Sequence, residues 1–76
     1  MTDIDVAHDP ERLRYEARID GEVAGFAEYI LTDELIVFTH TEVDPQFEGR
    51  GVGSAIARFA LEDVREGGER RVLPMC

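Results

Sequence analysis

The chain has 76 residues, of which 43% are hydrophobic, and a formal net charge of −9. That length suits one small domain, residues 1–76, with a thin core, because so short a chain buries only about 60% of the surface it exposes when unfolded. The acidic excess argues against nucleic acid, whose phosphates are met by basic patches, and favours a cation such as an amine-bearing small molecule or a basic peptide.

In chain order, the opening "MTDIDVAHDPERLR" has neither the apolar centre nor the cleavage pattern of a secretory signal. His8 lies in this polar stretch and reads as solvated. "RLRYEARI", Arg12 to Ile19, alternates strictly, with Leu13, Tyr15, Ala17 and Ile19 on one side. Period two predicts a half-buried strand. Asp20-Gly21 is a two-residue hairpin signal, and "EVAGFAEYIL" is the return strand. Gly25 inside it marks a bulge or a close backbone approach. Thr32 to Glu34 predicts a turn. "LIVFTHTEV", Leu35 to Val43, is apolar on both faces at its start, as a covered central strand is. Asp44-Pro45 ends it.

A helix follows the glycine-rich "EGRGVG". Val52, Ala55, Ile56, Phe59, Ala60 and Val64 recur at helical spacing, and Gly67-Gly68 end the run. "RRVLPMC" reads as a short last strand, Arg71–Pro74 being its core. The predicted fold is α+β (mixed α/β): an antiparallel β-meander followed by a β-α-β unit with a right-handed crossover.

All eight basic residues are arginine. Without lysine there is no Schiff base and no nucleotide-triphosphatase P-loop. The single cysteine forms no internal disulfide, and no stretch approaches the ~20 apolar residues of a membrane helix. A soluble cytoplasmic protein, with no membrane partner, is the expectation. Two histidines and one cysteine, scattered, predict no metal site. Ser54 lacks the nucleophile-elbow sequence of a hydrolase.

The glycine segment sits between the central strand and the helix. The first N–H groups of a helix have no partner within it, and the macrodipole makes that end positive. Glycines let a ligand approach the backbone. Together these suit an anion, with pyrophosphate the natural occupant and Arg50 the neighbouring cation. The spacing is G-x-G-x-G and not the dinucleotide fingerprint G-x-G-x-x-G, so a ligand-free turn into a helix stays open as the alternative.

The text "V-D-P-x-x-x-G-R-G-V-G-S-A-I" resembles the acetyl-coenzyme A loop of the GNAT N-acetyltransferase superfamily, Q/R-x-x-G-x-G/A. It maps onto Glu48, Gly49, Arg50, Gly51, Val52 and Gly53, with Glu48 departing from the usual glutamine or arginine. The wider "HTEVDPQFEGRGVGSAIARFALEDVREGG…RRVLPMC" resembles the small YjdJ-like branch of that superfamily. Relatives there continue past the cysteine with another helix, whereas this sequence stops at Cys76, so the resemblance supplies no general acid.

The resemblance implies a GNAT-like core and transfer of acetyl from acetyl-coenzyme A, a co-substrate, to an amine by direct attack. It assigns cofactor binding to Glu48, Gly49, Arg50, Gly51, Val52, Gly53 and Ser54, with the pantetheine arm along Thr41–Val43. His40 is a candidate base on chemical type, since histidine titrates near neutrality. Equally, its parity with Ile36 and Phe38 makes it a histidine held between sheet and helix. Glu42 can orient His40, act as base, or be a solvated carboxylate. Cys76 can carry acetyl, act as a thiol acid, or be a small hydrophobe. Tyr15 and Tyr29 read as packing residues. The other readings are a non-catalytic coenzyme A-binding module and an interaction domain that pairs through its sheet edge, a dimer among the possibilities.

Overall fold

The computed structural model describes residues 3–68 and 71–74. A five-stranded sheet carries one helix on one face. The strands are β1 (Asp5–Asp9), β2 (Arg14–Ile19), β3 (Glu22–Leu31), β4 (Leu35–Val43) and β5 (Arg71–Pro74), with α1 (Val52–Gly67) between β4 and β5. They lie side by side in chain order. The first three pairings are antiparallel, and β4 pairs β5 in parallel from Leu35↔Arg71 to Phe38↔Pro74.

The Asp20-Gly21 hairpin forms for the reason the sequence suggests. Both residues have positive φ, 50° and 83°, the geometry of a primed turn that matches the twist of its strands. Leu13 departs from the alternating pattern. Its φ of 53° puts it in a left-handed turn, so β2 starts at Arg14 and Leu13 is exposed. The N-terminal stretch is not a solvated tail: Asp5–Asp9 is an edge strand along β2. Its sequence, "DVAHD", has too few apolar residues to announce a strand.

Two irregularities decide which side chains meet the helix. Opposed residues in adjacent strands share a face. Tyr15 opposes Ala27, which opposes Thr41, and all three lie on the helix side. The β3–β4 register then slips: Glu28 pairs His40, but Tyr29 pairs Phe38, leaving Thr39 unopposed. Below that bulge Ile36 and Phe38 face the helix; above it Thr41 and Val43 do. His40 and Glu42 are on the opposite, open face, despite sharing parity with Ile36 and Phe38. The second slip leaves Ala24 unopposed in β3, and its carbonyl accepts the Asp44 N–H at 2.8 Å.

The core is Tyr15, Ala17, Ile19, Ala24, Ala27, Tyr29 and Ile36 from the sheet, under Val52, Ile56 and Ala60 from α1, with Phe47 closing the loop end. The i, i+4, i+8 spacing of the three helix residues gives a narrow stripe; full burial of Ile56 contributes about 2–3 kcal/mol. Phe59, on the edge of that stripe, stays partly exposed.

The open face is held by charge. Glu16 is 8% exposed and bonds both Arg14 and Arg18, the latter at 2.9 Å. The Arg18 hydrogen bond, outweighing burial and aided by Arg14, holds its carboxyl below the usual glutamate range. Arg14 also lies over the Phe26 ring, 4.9 Å from its centroid.

Candidate active site

β4 ends where Asp44 caps a single 3-10 turn, Pro45–Phe47, its side chain accepting the Gln46 N–H at 2.9 Å. Proline at the first turn position needs no donor there. Phe47 is buried and pins the turn; the Arg50 N–H then returns to the Phe47 carbonyl at 3.3 Å. Between these fixed points the chain passes through Gly49 and Gly51, at φ 81° and 80°. Non-glycine residues rarely adopt such angles.

Gly51 is the N-cap of α1, and no side chain caps that end. The first helical hydrogen bond is Ala55 N–H to Gly51 C=O, so the N–H groups of Val52, Gly53 and Ser54 precede the ladder. A Cβ added at Gly49 or Gly51 would meet nothing within 4 Å. Both glycines therefore face open space with bare backbone. Arg50 rests over the Phe47 ring, 5.6 Å from its centroid, and Glu48 and Ser54 are exposed.

Gly25 lies beneath this end and resolves as a close approach. A Cβ there would stand 2.8 Å from the Glu42 carbonyl oxygen and 3.0 Å from Val52 Cγ1. Only glycine lets β3, β4 and the first turn of α1 converge.

A cavity of about 360 Å³ continues from the loop between β4 and α1, lined by Phe38, Thr41, Gly53, Ala57, Leu61 and Val72 among others. Beside it, among the described residues, parallel pairing stops at Phe38↔Pro74. Among the described residues, the β4 segment Thr39–Val43 has no β5 partner.

The structure brings Gly49, Arg50, Gly51, Val52, Gly53 and Ser54 together with Thr41 and Val43; a Cβ added at Gly53 would lie 4.0 Å from Val43 Cγ2. It separates them from His40 and Glu42, which sit across the sheet, 3.8 Å apart from Nε2 to Oε2 and with side chains 53% and 63% exposed. The packed reading of His40, between sheet and helix, is therefore corrected by the Thr39 bulge. Cys76 lies outside the described residues.

A second polar group stands at the far end of α1, and the sequence reading missed it. His8 stacks on Tyr15, with ring centroids 4.3 Å apart, and its Nε2 meets the Tyr29 hydroxyl at 2.5 Å. The Tyr15 hydroxyl donates to Asp63 Oδ2 at 2.6 Å, and His8 Nδ1 lies 3.3 Å from the same oxygen. Burial, then the Asp63 hydrogen bond and charge, push the Tyr15 phenol well above its ordinary range. Burial, then the charges of Asp63 and Asp9, raise Tyr29. One signal was available: Asp63 is seven residues after Ile56 and three after Ala60, a carboxylate on the apolar stripe.

Among the described residues no group of three or more His, Cys, Asp and Glu side chains could hold a metal, and no helix is long and apolar enough to cross a membrane.

A family model for GCN5-related N-acetyltransferases matches residues 14–76. The chain belongs to that family. Its general activity is accordingly acetyl transfer. No curated protein matches the sequence.

Proposed function

We propose that this GCN5-related domain transfers acetyl from acetyl-coenzyme A to a cationic amine, and that it belongs to the small YjdJ-like branch suggested by its "HTEV" strand and glycine loop. The observation that carries the reading is the bare end of α1: left-handed Gly49 and Gly51 open to solvent, with three successive N–H groups ahead of the helical ladder. Such an end receives a pyrophosphate through backbone donors and the helix dipole. Arg50 adds the nearby cation. The cavity beside Thr41 and Gly53 suits the pantetheine arm.

The thioester then lies on the helix side of β4, and His40 with Glu42 stands on the other. The two sides meet at the β4 edge away from β3, past Phe38, where β5 pairing ends among the described residues. An amine arriving from the open face meets His40 first, which takes its proton directly or through water. The nucleophilic nitrogen forms its bond to the thioester carbonyl carbon, the C–S bond breaks, and the second proton released by that nitrogen passes through water to the sulfur, so coenzyme A leaves as the thiol. Anchoring the pyrophosphate at the loop lets binding energy position the carbonyl. The acidic surface attracts the cationic acceptor. The domain serves as a monomer or a dimer in this scheme, since no step requires a second copy.

The test is thiol release from acetyl-coenzyme A in the presence of polyamines and basic peptides, alongside calorimetric titration with coenzyme A. Gly51→Val should weaken coenzyme A binding about tenfold or more, because the new side chain occupies the space before the N–H groups. Unchanged affinity would remove the loop from the site. Saturable binding without thiol release would favour the binding-module reading.

A further inference from the structure

We propose that the hollow under the C-terminal end of α1 is a binding site for a small alkylammonium ion, separate from the glycine-loop cavity. The hollow encloses about 230 Å³, and no residue that lines it lines the other cavity. The space equals roughly seven or eight water molecules at ~30 Å³ each, enough for an ammonium head and a tail of four or five carbons.

Its walls divide by chemistry. Leu13, Leu31, Ile36 and Val64 supply apolar surface; Leu13 and Leu31 are 42% and 45% exposed, an uncovered rim of large side chains. Asp63 supplies the charge. Tyr15 and His8 both approach its Oδ2, so Oδ1 keeps its lone pairs for a further donor. Among the described residues no arginine lines the hollow, and Arg12 is directed to Asp9 at 3.7 Å. Burial first, and then the Asp63 carboxylate, raise both tyrosines.

Two features then favour a cation with a short tail over any other ligand. A carboxylate with a spare oxygen accepts an ammonium proton, and the last turn of a helix carries a partial negative charge. An anion would meet the Asp63 carboxylate on the wall. A neutral alcohol would gain the apolar wall but not the charge. The rim also holds backbone in an unfavourable state: Leu13, at φ 53°, turns the chain over the hollow, and its carbonyl accepts the Tyr29 N–H at 3.0 Å. Left-handed leucine persists only where surrounding structure imposes it, and such residues concentrate at ligand sites.

The experiment is a two-dimensional amide NMR titration of the full chain with n-butylammonium chloride, at constant ionic strength, against 1-butanol and sodium butyrate. Saturable shifts confined to amides around Leu13, Tyr29, Asp63 and Gly67 are expected, with butanol at least tenfold weaker and butyrate without effect. Asp63→Asn should lower affinity tenfold. Should that variant fail to fold, Leu31→Trp, at an exposed position on the rim, fills the hollow and should abolish the shifts. Equal response to butanol or butyrate, shifts spread without saturation over the acidic surface, or full affinity in the folded variants would overturn the proposal.

Discussion

The two ends of α1 solve the same problem in opposite ways. A helix leaves donors unpaired at its start and acceptors at its finish. At the start, Gly51 brings no side chain, no side chain caps the first turn, and the Cβ positions of Gly49 and Gly51 face open space. At the finish, Gly68 closes the backbone onto the Val64 carbonyl at 3.1 Å, and Asp63, Tyr15, Tyr29 and His8 tie the last turn to three strands. One end is shaped by what backbone can do without side chains. The other is shaped by side chains that satisfy each other. The first is therefore available to a polyanion, and the second stabilises the seat of the helix on the sheet while presenting one spare carboxylate oxygen.

The comparison is broken most directly at Gly25. A valine there places Cβ within 2.8 Å of a backbone oxygen that no rotamer can move. The expected loss is about 3 kcal/mol or more, lowering the melting temperature by roughly 12–24 °C in a domain of this size. A melting curve within a few degrees of the parent would mean that the glycine end is not assembled by close backbone packing.

The far end should respond less and in a coupled way. Tyr15→Phe and Asp63→Ala each remove one hydrogen bond between a phenol and a carboxylate, expected to cost about 1–2 kcal/mol once the partial exposure of Asp63 is allowed for. In a double-mutant cycle read by denaturant unfolding the two should be non-additive by about 1 kcal/mol. Coenzyme A affinity should not change in either. Additive losses would dissolve the cluster into independent contacts, and a parallel loss of coenzyme A affinity would show that the two ends are not separate.

Why one end was legible in the sequence and the other was not follows from how each is built. The glycine end is local: strand, Asp44-Pro45, alternating glycines and helix are contiguous, and each residue type states its own conformation. The hairpin at Asp20-Gly21, the β4 burial at Ile36 and Val37, and the stripe Val52, Ile56, Ala60 were readable for the same reason. The far end joins His8, Tyr15, Tyr29 and Asp63, residues as many as 55 positions apart, and depends on an edge strand whose sequence has almost no apolar signal. The face of His40 was hidden differently. A one-residue bulge at Thr39 reverses every parity argument beyond it, and nothing in "LIVFTHTEV" marks where the slip occurs. Leu13 misled because alternation continued through a residue whose backbone had already turned.

The effect smallest at neutral pH sharpens the contrast on the alkaline side. The chain has two tyrosines and no tryptophan, and both phenols belong to the far end. Each is raised above its ordinary value by burial and by acidic neighbours. Below about pH 10, the ordinary phenol value, folded and unfolded chains keep both protons, so these groups give stability no pH dependence. Above it the unfolded chain releases protons that the native chain retains, and stability falls by up to about 1.4 kcal/mol per pH unit for each tyrosine until the native value is reached. Absorbance at 295 nm, followed with circular dichroism, should therefore show phenolate appearing together with loss of structure and not before it. In Asp63→Ala the onset of phenolate should move to lower pH, since the carboxylate that disfavours a second negative charge is gone. A native phenolate titrating near pH 10 in the parent chain would show that the tyrosines are not held as the far-end cluster requires.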